Sequence, residues 1–241
     1  MHKGIFITGT DTDVGKTIVA AGLLHLLRSK GVDAVPMKPV QTGCTLENGV
    51  FKAPDLDFSI LYSGLQYTDE EYQCMSPYKY KPACSPHLAG NLSGDLVDMK
   101  QILLYLEKLK TLREFVIVEG AGGIMVPLNN SDMMLDLMKA VGFPVVLVAR
   151  TGLGTINHTL LSLQVLRNTG LKVLGVIFNN TVAPTPETKF ICDDNVNTIA
   201  KCSGVNVLGN ISHLGDFNES NFNVMKECFD RSIDYDTLLN M

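Results

Sequence analysis

The sequence lacks long apolar runs, paired cysteine motifs and an excess of basic residues. Its longest unbroken apolar segment covers only residues 143–149, whereas a membrane-spanning helix needs about 18. Six cysteines occur without any CxxC pair, a pattern typical of reduced thiols rather than of a zinc site or a disulfide framework. The formal net charge of −5 leaves no broad basic field for nucleic acid or anionic lipid. We therefore expect neither a nucleic acid nor a membrane as a partner.

The remaining composition is that of a globular protein. Of its 241 residues, 46% are hydrophobic and 19% are charged, which is a suitable balance for one compact domain. We find no linker and no internal repeat, so a single domain over residues 1–241 is predicted. The apolar part of the N-terminal segment MHKGIFITGTD ends too early to be the core of a signal peptide. A cytoplasmic location is therefore expected.

Short apolar runs alternate with amphipathic segments along the chain. Strands are predicted over residues 4–8, 34–38, 115–119, 144–149, 172–178 and 205–211, and helices over 16–30, 95–110, 131–142, 154–169 and 187–202. Most of the strand runs are continuously apolar, which indicates strands covered on both faces. The predicted fold class is α/β, with a doubly wound, mostly parallel β-sheet and helices on both faces. Between residues 43 and 93 the pattern weakens, and a long substrate loop with a small helix is expected there.

The segment GTDTDVGKT, residues 9–17, follows the first strand and opens the first helix. This is the context of a phosphate-binding loop, because free N–H groups at a helix start bind phosphate oxygens. Gly15 lets the backbone close on the phosphate, Lys16 reaches the β- and γ-phosphates, and the Thr17 hydroxyl binds Mg²⁺. The usual spacing puts the first glycine where this chain has Thr10, so a longer or differently turned loop is expected. An ordinary helix cap is the alternative interpretation, which the flanking strand and helix disfavour.

Acidic residues that could approach such a loop occur in two places. Glu119 ends an apolar strand and precedes GAGG, residues 120–123, where small residues allow close approach to a ligand. Asp55 and Asp57 form the second group, and on a helix their side chains point in different directions. One of the two could reach a metal ion, but the residues alone favour a helix-capping role for this pair.

Six segments together resemble the dethiobiotin synthetase family. They are GTDTDVGKT, KPVQTG at 38–43, PD at 54–55, SPH at 85–87, VEGAGG at 118–123 and GTINH at 154–158. The resemblance implies a P-loop NTPase fold and a ligase that uses ATP and Mg²⁺ to form dethiobiotin from 7,8-diaminopelargonic acid and CO₂ in biotin biosynthesis. It implies that a carbamate attacks the γ-phosphate to form a carbamic-phosphoric anhydride. The second amine then closes the ring and expels phosphate.

Two other function classes share this fold. A ParA-like nucleotide switch is the main alternative, but such proteins often carry a second lysine early in the loop, where this chain has Thr10, Asp11 and Thr12. Residues 187–241 are also acidic rather than basic and amphipathic. An amide-forming ligase would need an ammonia source, for which 241 residues leave no room.

The resemblance assigns individual residues as well. Lys16 and Lys38 correspond to catalytic ammonium groups, and Thr17, Asp55 and Glu119 to Mg²⁺ ligands, which selects Asp55 over Asp57. Nucleotide-binding positions are Asp13, Val14, Gly15, Lys16, Thr17, Ile18, Asp55, Glu119, Gly120, Ala121, Gly122, Asn179, Asn180, Ser212, His213 and Leu214, with Asn179 as the adenine-reading residue. Substrate-binding positions are Thr12, Asp13, Thr42, Thr155, Ile156 and Asn157.

The resemblance also implies an assembly, and two positions of this chain differ from the family pattern. Residues 155–157 begin the helix that, in the family, binds the substrate carboxylate from the partner subunit, so a homodimer with substrate at its interface is implied. Asp13 stands where a glutamate is often found. Phe190 or Ile191 stands where a substrate-facing tyrosine is often found.

Overall fold

The computed structural model describes residues 4–47, 49–215 and 219–239, so the first three residues of the N-terminal segment lie outside it. Along the chain the elements are β1 (Gly4–Gly9), α1 (Lys16–Ser29), β2 (Ala34–Met37), β3 (Val40–Thr42), β4 (Thr45–Glu47), β5 (Val50–Lys52), α2 (Pro54–Ser63), α3 (Asp69–Met75), β6 (Tyr78–Tyr80), α4 (Pro86–Ser93), α5 (Met99–Leu112), β7 (Phe115–Gly123), α6 (Met134–Val141), β8 (Val145–Ala149), α7 (Thr155–Asn168), β9 (Val173–Asn179), α8 (Pro186–Ser203), β10 (Val207–Ile211), a 3-10 turn (Glu219–Asn221), α9 (Phe222–Ser232) and α10 (Tyr235–Leu239).

A parallel six-stranded sheet in the order β10-β9-β8-β1-β7-β2 forms the centre of the molecule. Its strands are apolar and buried because helices cover both faces: α1 and α9 lie on one face, and α5, α6, α7 and α8 on the other. The predicted doubly wound α/β fold is therefore confirmed. Strand β1 pairs with β7 on one side and β8 on the other. The phosphate-binding loop thus leaves the middle of the sheet at its carboxyl edge, where ligands bind in such folds.

The region of residues 43–93 corrects the expectation of a long loop with one small helix. It contains α2, α3 and α4, a β4–β5 hairpin, and β6, which pairs in parallel with β3. The sequence misleads because tyrosines form much of the local core. Tyr62, Tyr78 and Tyr80 are buried, and the hydroxyls of the last two donate to Gln101 and to the Asp95 carbonyl. Polar-looking residues therefore build packed structure here.

The C-terminal helices were not predicted either. In α9, Met225 and Phe229 are buried with residues of α1 in one apolar cluster. Gly22 of α1 makes room for this packing, because a Cβ at that position would overlap the Phe229 ring.

Candidate functional site

The loop between β1 and α1 turns through two residues with left-handed backbone conformation. Gly15 has φ 92°, and Asp13, with φ 57°, is the one non-glycine residue of positive φ within the described ranges. A Cβ at Gly15 would overlap the Asn179 side-chain amide, and that amide donates to the Val14 carbonyl at 3.1 Å. The end of β9 therefore supports the loop directly.

Lys16 opens α1 and is buried. Its Nζ donates to the Asp11 carbonyl at 2.8 Å, which folds the side chain back over the loop. Burial and the positive charge of Lys38 together lower the pKa of Lys16 to about 8. This ammonium therefore lacks a full counter-charge, a condition that an anionic ligand would relieve.

Lys38 lies between two carboxylates at the carboxyl edge of the sheet. Its Nζ is 2.7 Å from Asp55 Oδ2 and 2.7 Å from Glu119 Oε1, and it also donates to the Gly120 carbonyl at 3.2 Å. The Thr17 hydroxyl donates to Glu119 Oε1 at 2.9 Å. The three predicted Mg²⁺ ligands and one predicted catalytic lysine therefore meet in one cluster.

Opposite charges in this cluster stabilise each other, whereas burial and the negative charge of Asp55 raise the pKa of Glu119. Burial alone would lower the pKa of Lys38, but Glu119 and Asp55 raise it above its ordinary value, so the ammonium stays charged. Burial alone would raise the pKa of Asp55, but Lys38 holds it below the usual range. A cation is thus already accommodated by two carboxylates in a buried setting.

The structure separates Asp55 from Asp57, which the residues alone did not. Asp55 occupies the first turn of α2 and faces Lys38. Asp57 instead accepts a hydrogen bond from the Tyr72 hydroxyl at 2.7 Å. This contact holds Asp57 in the packing between α2 and α3, away from the cluster.

A cavity of about 940 Å³ opens beside the cluster. The predicted residues that line it are Thr12, Asp13, Gly15, Lys16, Thr17, Ile18, Lys38, Thr42, Asp55, Glu119, Ala121, Gly122, Asn179, Asn180, His213 and Leu214. Val14, Gly120 and Ser212 do not line it. Sequence reasoning missed Val40, Gln41, Ala83, Cys84, Ser85, Pro86, Val126, Thr181 and Gly215. The segments KPVQTG and SPH contain four of these missed residues and were the available signal for them.

Asn180 is tied into the frame of the cavity. Its side-chain oxygen accepts from the Thr151 hydroxyl at 2.5 Å, and its Nδ2 donates to the Ile211 carbonyl at 2.8 Å. The Asn180 carbonyl lies 3.2 Å from His213 Nδ1. Asn180 therefore joins the ends of β8, β9 and β10 around the cavity.

The beginning of α7 does not line the cavity beside the Lys38 cluster. Thr155 lines a second cavity of about 570 Å³, and its hydroxyl donates to the Arg150 carbonyl at 2.6 Å. Ile156 and Asn157 line a third cavity of about 550 Å³. Within one chain, these three predicted substrate contacts are not brought to the Lys38 cluster.

The donor set at the cluster suits Mg²⁺. Within the described ranges no group of three or more His, Cys, Asp and Glu residues could hold a metal ion. Mg²⁺ in phosphate-transfer sites, however, takes one or two carboxylates and completes its shell with phosphate oxygens and water. Thr17, Asp55 and Glu119 offer only hard oxygen atoms, and the two carboxylates already flank the Lys38 ammonium. The residues present therefore fit this ion.

None of the helices in the part of the chain described by the structure has the length and apolar character needed to cross a membrane.

Comparison with known proteins identifies the family. A family model described as an AAA domain matches residues 3–221. An ATP-dependent dethiobiotin synthetase of Anoxybacillus flavithermus is 38% identical over 226 residues, which cover 93% of this chain and 98% of the relative. The chain belongs to the dethiobiotin synthetase family. A synthetase of Clostridium kluyveri is 35% identical and covers 94% of this chain and 92% of its own. The predicted family, and with it the ligase class, is confirmed.

Solved structures match this synthetase at the level of the fold. The MinC:MinD cell division complex of Aquifex aeolicus matches with a TM-score of 0.56 and 12% identity, covering 94% of this chain and 86% of that one. A ParA family ATPase of Chlorobium tepidum matches with a TM-score of 0.53 and 14% identity, covering 99% and 94%. At such low identity these matches support the P-loop fold alone, and the ParA-like alternative has no support beyond it.

Proposed function

We propose that this synthetase uses ATP to join CO₂ to 7,8-diaminopelargonic acid and to close the ureido ring of dethiobiotin. The observation that carries the proposal is the Lys38 ammonium, held between Asp55 and Glu119 in the cavity that Lys16 and Thr42 also line. Carbamate and triphosphate are both anions, and they react in line only if cations hold them together. Two buried lysines beside a phosphate-binding loop meet that demand.

ATP binding draws on the loop and the start of α1. The free N–H groups there donate to the phosphate oxygens, and Lys16 exchanges its bond to the Asp11 carbonyl for one to a phosphate. The adenine end extends toward Asn179, Asn180, His213 and Leu214. Asn179 lines the cavity, and its Nδ2 donates to the loop between β1 and α1. The same residue thus contacts the base and supports the loop that binds the phosphates.

Thr17, Asp55 and Glu119 are proposed to hold Mg²⁺ with the triphosphate. When bound, this ion neutralises phosphate oxygens during transfer. Lys38 supplies the second positive charge, directed at the oxygen atoms of the carbamate and the transferred phosphoryl group. Its burial strengthens that interaction, because little water remains to screen it.

The reaction then proceeds in three steps. One amine of the substrate takes up CO₂ as a carbamate, and a carbamate oxygen attacks the γ-phosphate to release ADP. The second amine attacks the carbonyl carbon of the mixed anhydride, closes the ring and expels phosphate. Thr12, Asp13 and Thr42, which line the cavity, are proposed to orient the two amines.

The substrate carboxylate is proposed to bind to the partner subunit of a homodimer. In one chain Thr155, Ile156 and Asn157 line cavities other than that of Lys38. The surface beside them is apolar and open: Leu153 is 94% exposed and Leu161 60%. A second copy on this face would cover these leucines and bring the N–H groups of α7 to the other chain's substrate. A cytoplasmic location fits the use of ATP and free cysteines.

Labelled bicarbonate tests the reaction directly. Pure protein is incubated with 7,8-diaminopelargonic acid, ATP and Mg²⁺, and label that survives acid is counted. A bare carbamate loses CO₂ in acid, whereas a cyclic urea keeps it, so acid-stable label that depends on ATP is expected. ATP hydrolysis without a stable product would refute the synthetase activity and favour a nucleotide switch.

Mixed dimers test the shared site. Lys38→Ala removes the reacting cluster, and Asn157→Asp places a repelling carboxylate in the first turn of α7, where an acidic residue is compatible with the helix. Each variant alone should lack activity. After unfolding and refolding together, about a quarter of the wild-type activity should return, because half of the dimers contain one intact site. No recovery, with mixed dimers demonstrated by a mass tag, would place both contacts in one chain.

A further inference from the structure

Helix α2, which delivers Asp55, has no side-chain cap of its own. Its N-cap residue is Ala53, which makes no side-chain hydrogen bond, and Pro54 follows as the first helical residue. The Ala53 side chain cannot accept a hydrogen bond, and Pro54 has no N–H to donate. The Asp55 N–H is therefore the first free donor of the helix, and its partner must come from another element.

Gln41 of β3 supplies that partner. Its Oε1 accepts from the Asp55 N–H at 3.3 Å, and its Nε2 donates to the Thr42 carbonyl at 3.1 Å. Gln41 is only 5% exposed, although it lines the cavity. Both ends of one buried amide are thus engaged, one with the backbone of Asp55 and the other with the backbone of Thr42.

We propose that Gln41 is a positioning residue that fixes the Asp55 carboxylate relative to the turn carrying Thr42. This inference rests on the proposed function, in which Asp55 holds Mg²⁺ and Thr42 orients the substrate amines. Lys38 lies two residues before β3 and Gln41 is the second residue of that strand, so one short segment contributes a charge to the cluster and a cap to α2. A shift of α2 would move Asp55 away from Lys38 and Glu119 together.

If Gln41 positions Asp55, replacing Gln41 should lower the affinity for the metal ion. A hydrogen bond that only stabilises the fold would not have this effect. Gln41→Met keeps the length of the side chain and removes both hydrogen bonds. The loss of one neutral hydrogen bond corresponds to about a five-fold change in a binding constant. We therefore expect Mn²⁺, used as a spectroscopic substitute for Mg²⁺, to bind about five-fold more weakly in the presence of ADP. Electron paramagnetic resonance of the free ion measures this without any turnover.

A matched control is available in the same helix. The Ser59 hydroxyl donates to the Asp55 carbonyl at 3.0 Å, so Ser59→Ala removes a buried hydrogen bond to the same residue from the helix interior. It should lower the melting temperature to a similar extent as Gln41→Met and leave Mn²⁺ affinity unchanged. Equal losses of Mn²⁺ affinity in the two variants would overturn the inference, since general loosening of α2 would then explain both.

A double-mutant cycle tests whether Gln41 acts through Asp55. In an Asp55→Asn background, Gln41→Met should have little further effect on Mn²⁺ affinity, because the carboxylate that it positions is gone. A second full five-fold loss there would overturn the inference. Acid-stable label from the wild-type protein is measured alongside: its absence refutes the proposed function, whereas the Mn²⁺ results decide on Gln41 independently.

Discussion

Lys38 and Glu119 are 81 residues apart in sequence, yet Lys38 Nζ lies 2.7 Å from Glu119 Oε1. The register of the sheet explains their meeting. Strands β2 and β7 are parallel neighbours with Met37 opposite Val118. Lys38 directly follows Met37, and Glu119 directly follows Val118. Two apolar strands of matched register therefore bring opposite charges together at one buried point.

Removal of the Lys38 charge should abolish product formation. Lys38→Met should lower dethiobiotin synthesis by at least about 100-fold, because the developing negative charge loses its buried cation. Lys79→Met is the control, since Lys79 Nζ donates to the Ser76 carbonyl and the residue does not line the cavity. Circular dichroism checks that both variants fold. Turnover by Lys38→Met near the wild-type rate would remove Lys38 from the mechanism.

Nucleotide binding should be coupled to proton uptake at Lys16. The pKa of this residue is lowered from 10.5 to about 8, so between these values the unfolded state binds more protons, and the stability of the nucleotide-free protein rises with pH. A bound triphosphate raises the pKa again. At about pH 8.5, ATP binding should take up about three-quarters of a proton at this group, measured by calorimetry in buffers of different ionisation enthalpy. Lys16→Arg, which stays protonated, should lack this uptake; an unchanged uptake would contradict the assignment.

Two glycines of positive φ form a matched pair for the loop. Gly15 has φ 92° and Gly31 φ 86°, so alanine at either costs about 1–2 kcal/mol of backbone strain. Only at Gly15 does the added methyl overlap Asn179, whereas no described atom lies within 4 Å of that position at Gly31. Gly15→Ala should therefore lower the free energy of unfolding further and weaken ATP binding at least about ten-fold. Equal effects in urea titrations would contradict the role of Asn179.

Asn179→Ala supplies the second arm of that test. Combined with Gly15→Ala, it removes the amide that the new methyl overlaps. The double variant should be more stable than additivity predicts, because the clash is shared by the two positions.

The packing of α9 on α1 should contribute strongly to stability. Phe229 is fully buried, and its ring lies over Gly22. Phe229→Ala should lower the free energy of unfolding by about 3–5 kcal/mol. Val224→Ala, on the same helix but 60% exposed, should change it by less than about 0.5 kcal/mol. Similar unfolding midpoints for the two variants would show that α9 does not stabilise the described core.

Some features of the site could be predicted from sequence because they depend on local patterns. Glu119 ends the predicted apolar strand, and Gly15 and Lys16 stand where the loop after the first strand enters a helix, so their place at the sheet edge follows from periodicity. The choice of Asp55 over Asp57 needed the family resemblance, because it depends on how α2 is oriented and on the distant Tyr72.

Other features could not be predicted because they arise from tertiary contacts. Gln41 stands in the KPVQTG segment, but that segment does not reveal its role, because the role depends on a hydrogen bond with the Asp55 N–H. Tyr62, Tyr78 and Tyr80 lie in a region where the sequence predicts a long loop, yet they are buried in packed structure. Helical spacing and apolar strand runs predict each helix or strand separately. The roles of these residues instead depend on contacts with a second helix or strand.

The central position of β1 has a consequence for biosynthesis. The strand made first, Gly4–Gly9, pairs only with β7 and β8 in the described sheet, and these begin at Phe115 and Val145. The buried apolar side chains of β1 thus have no partner strand until more than half of the chain has been translated. The Asn179 contact that supports the loop forms later still. The nucleotide loop, although it follows the first strand, is therefore completed only after β9 has been translated.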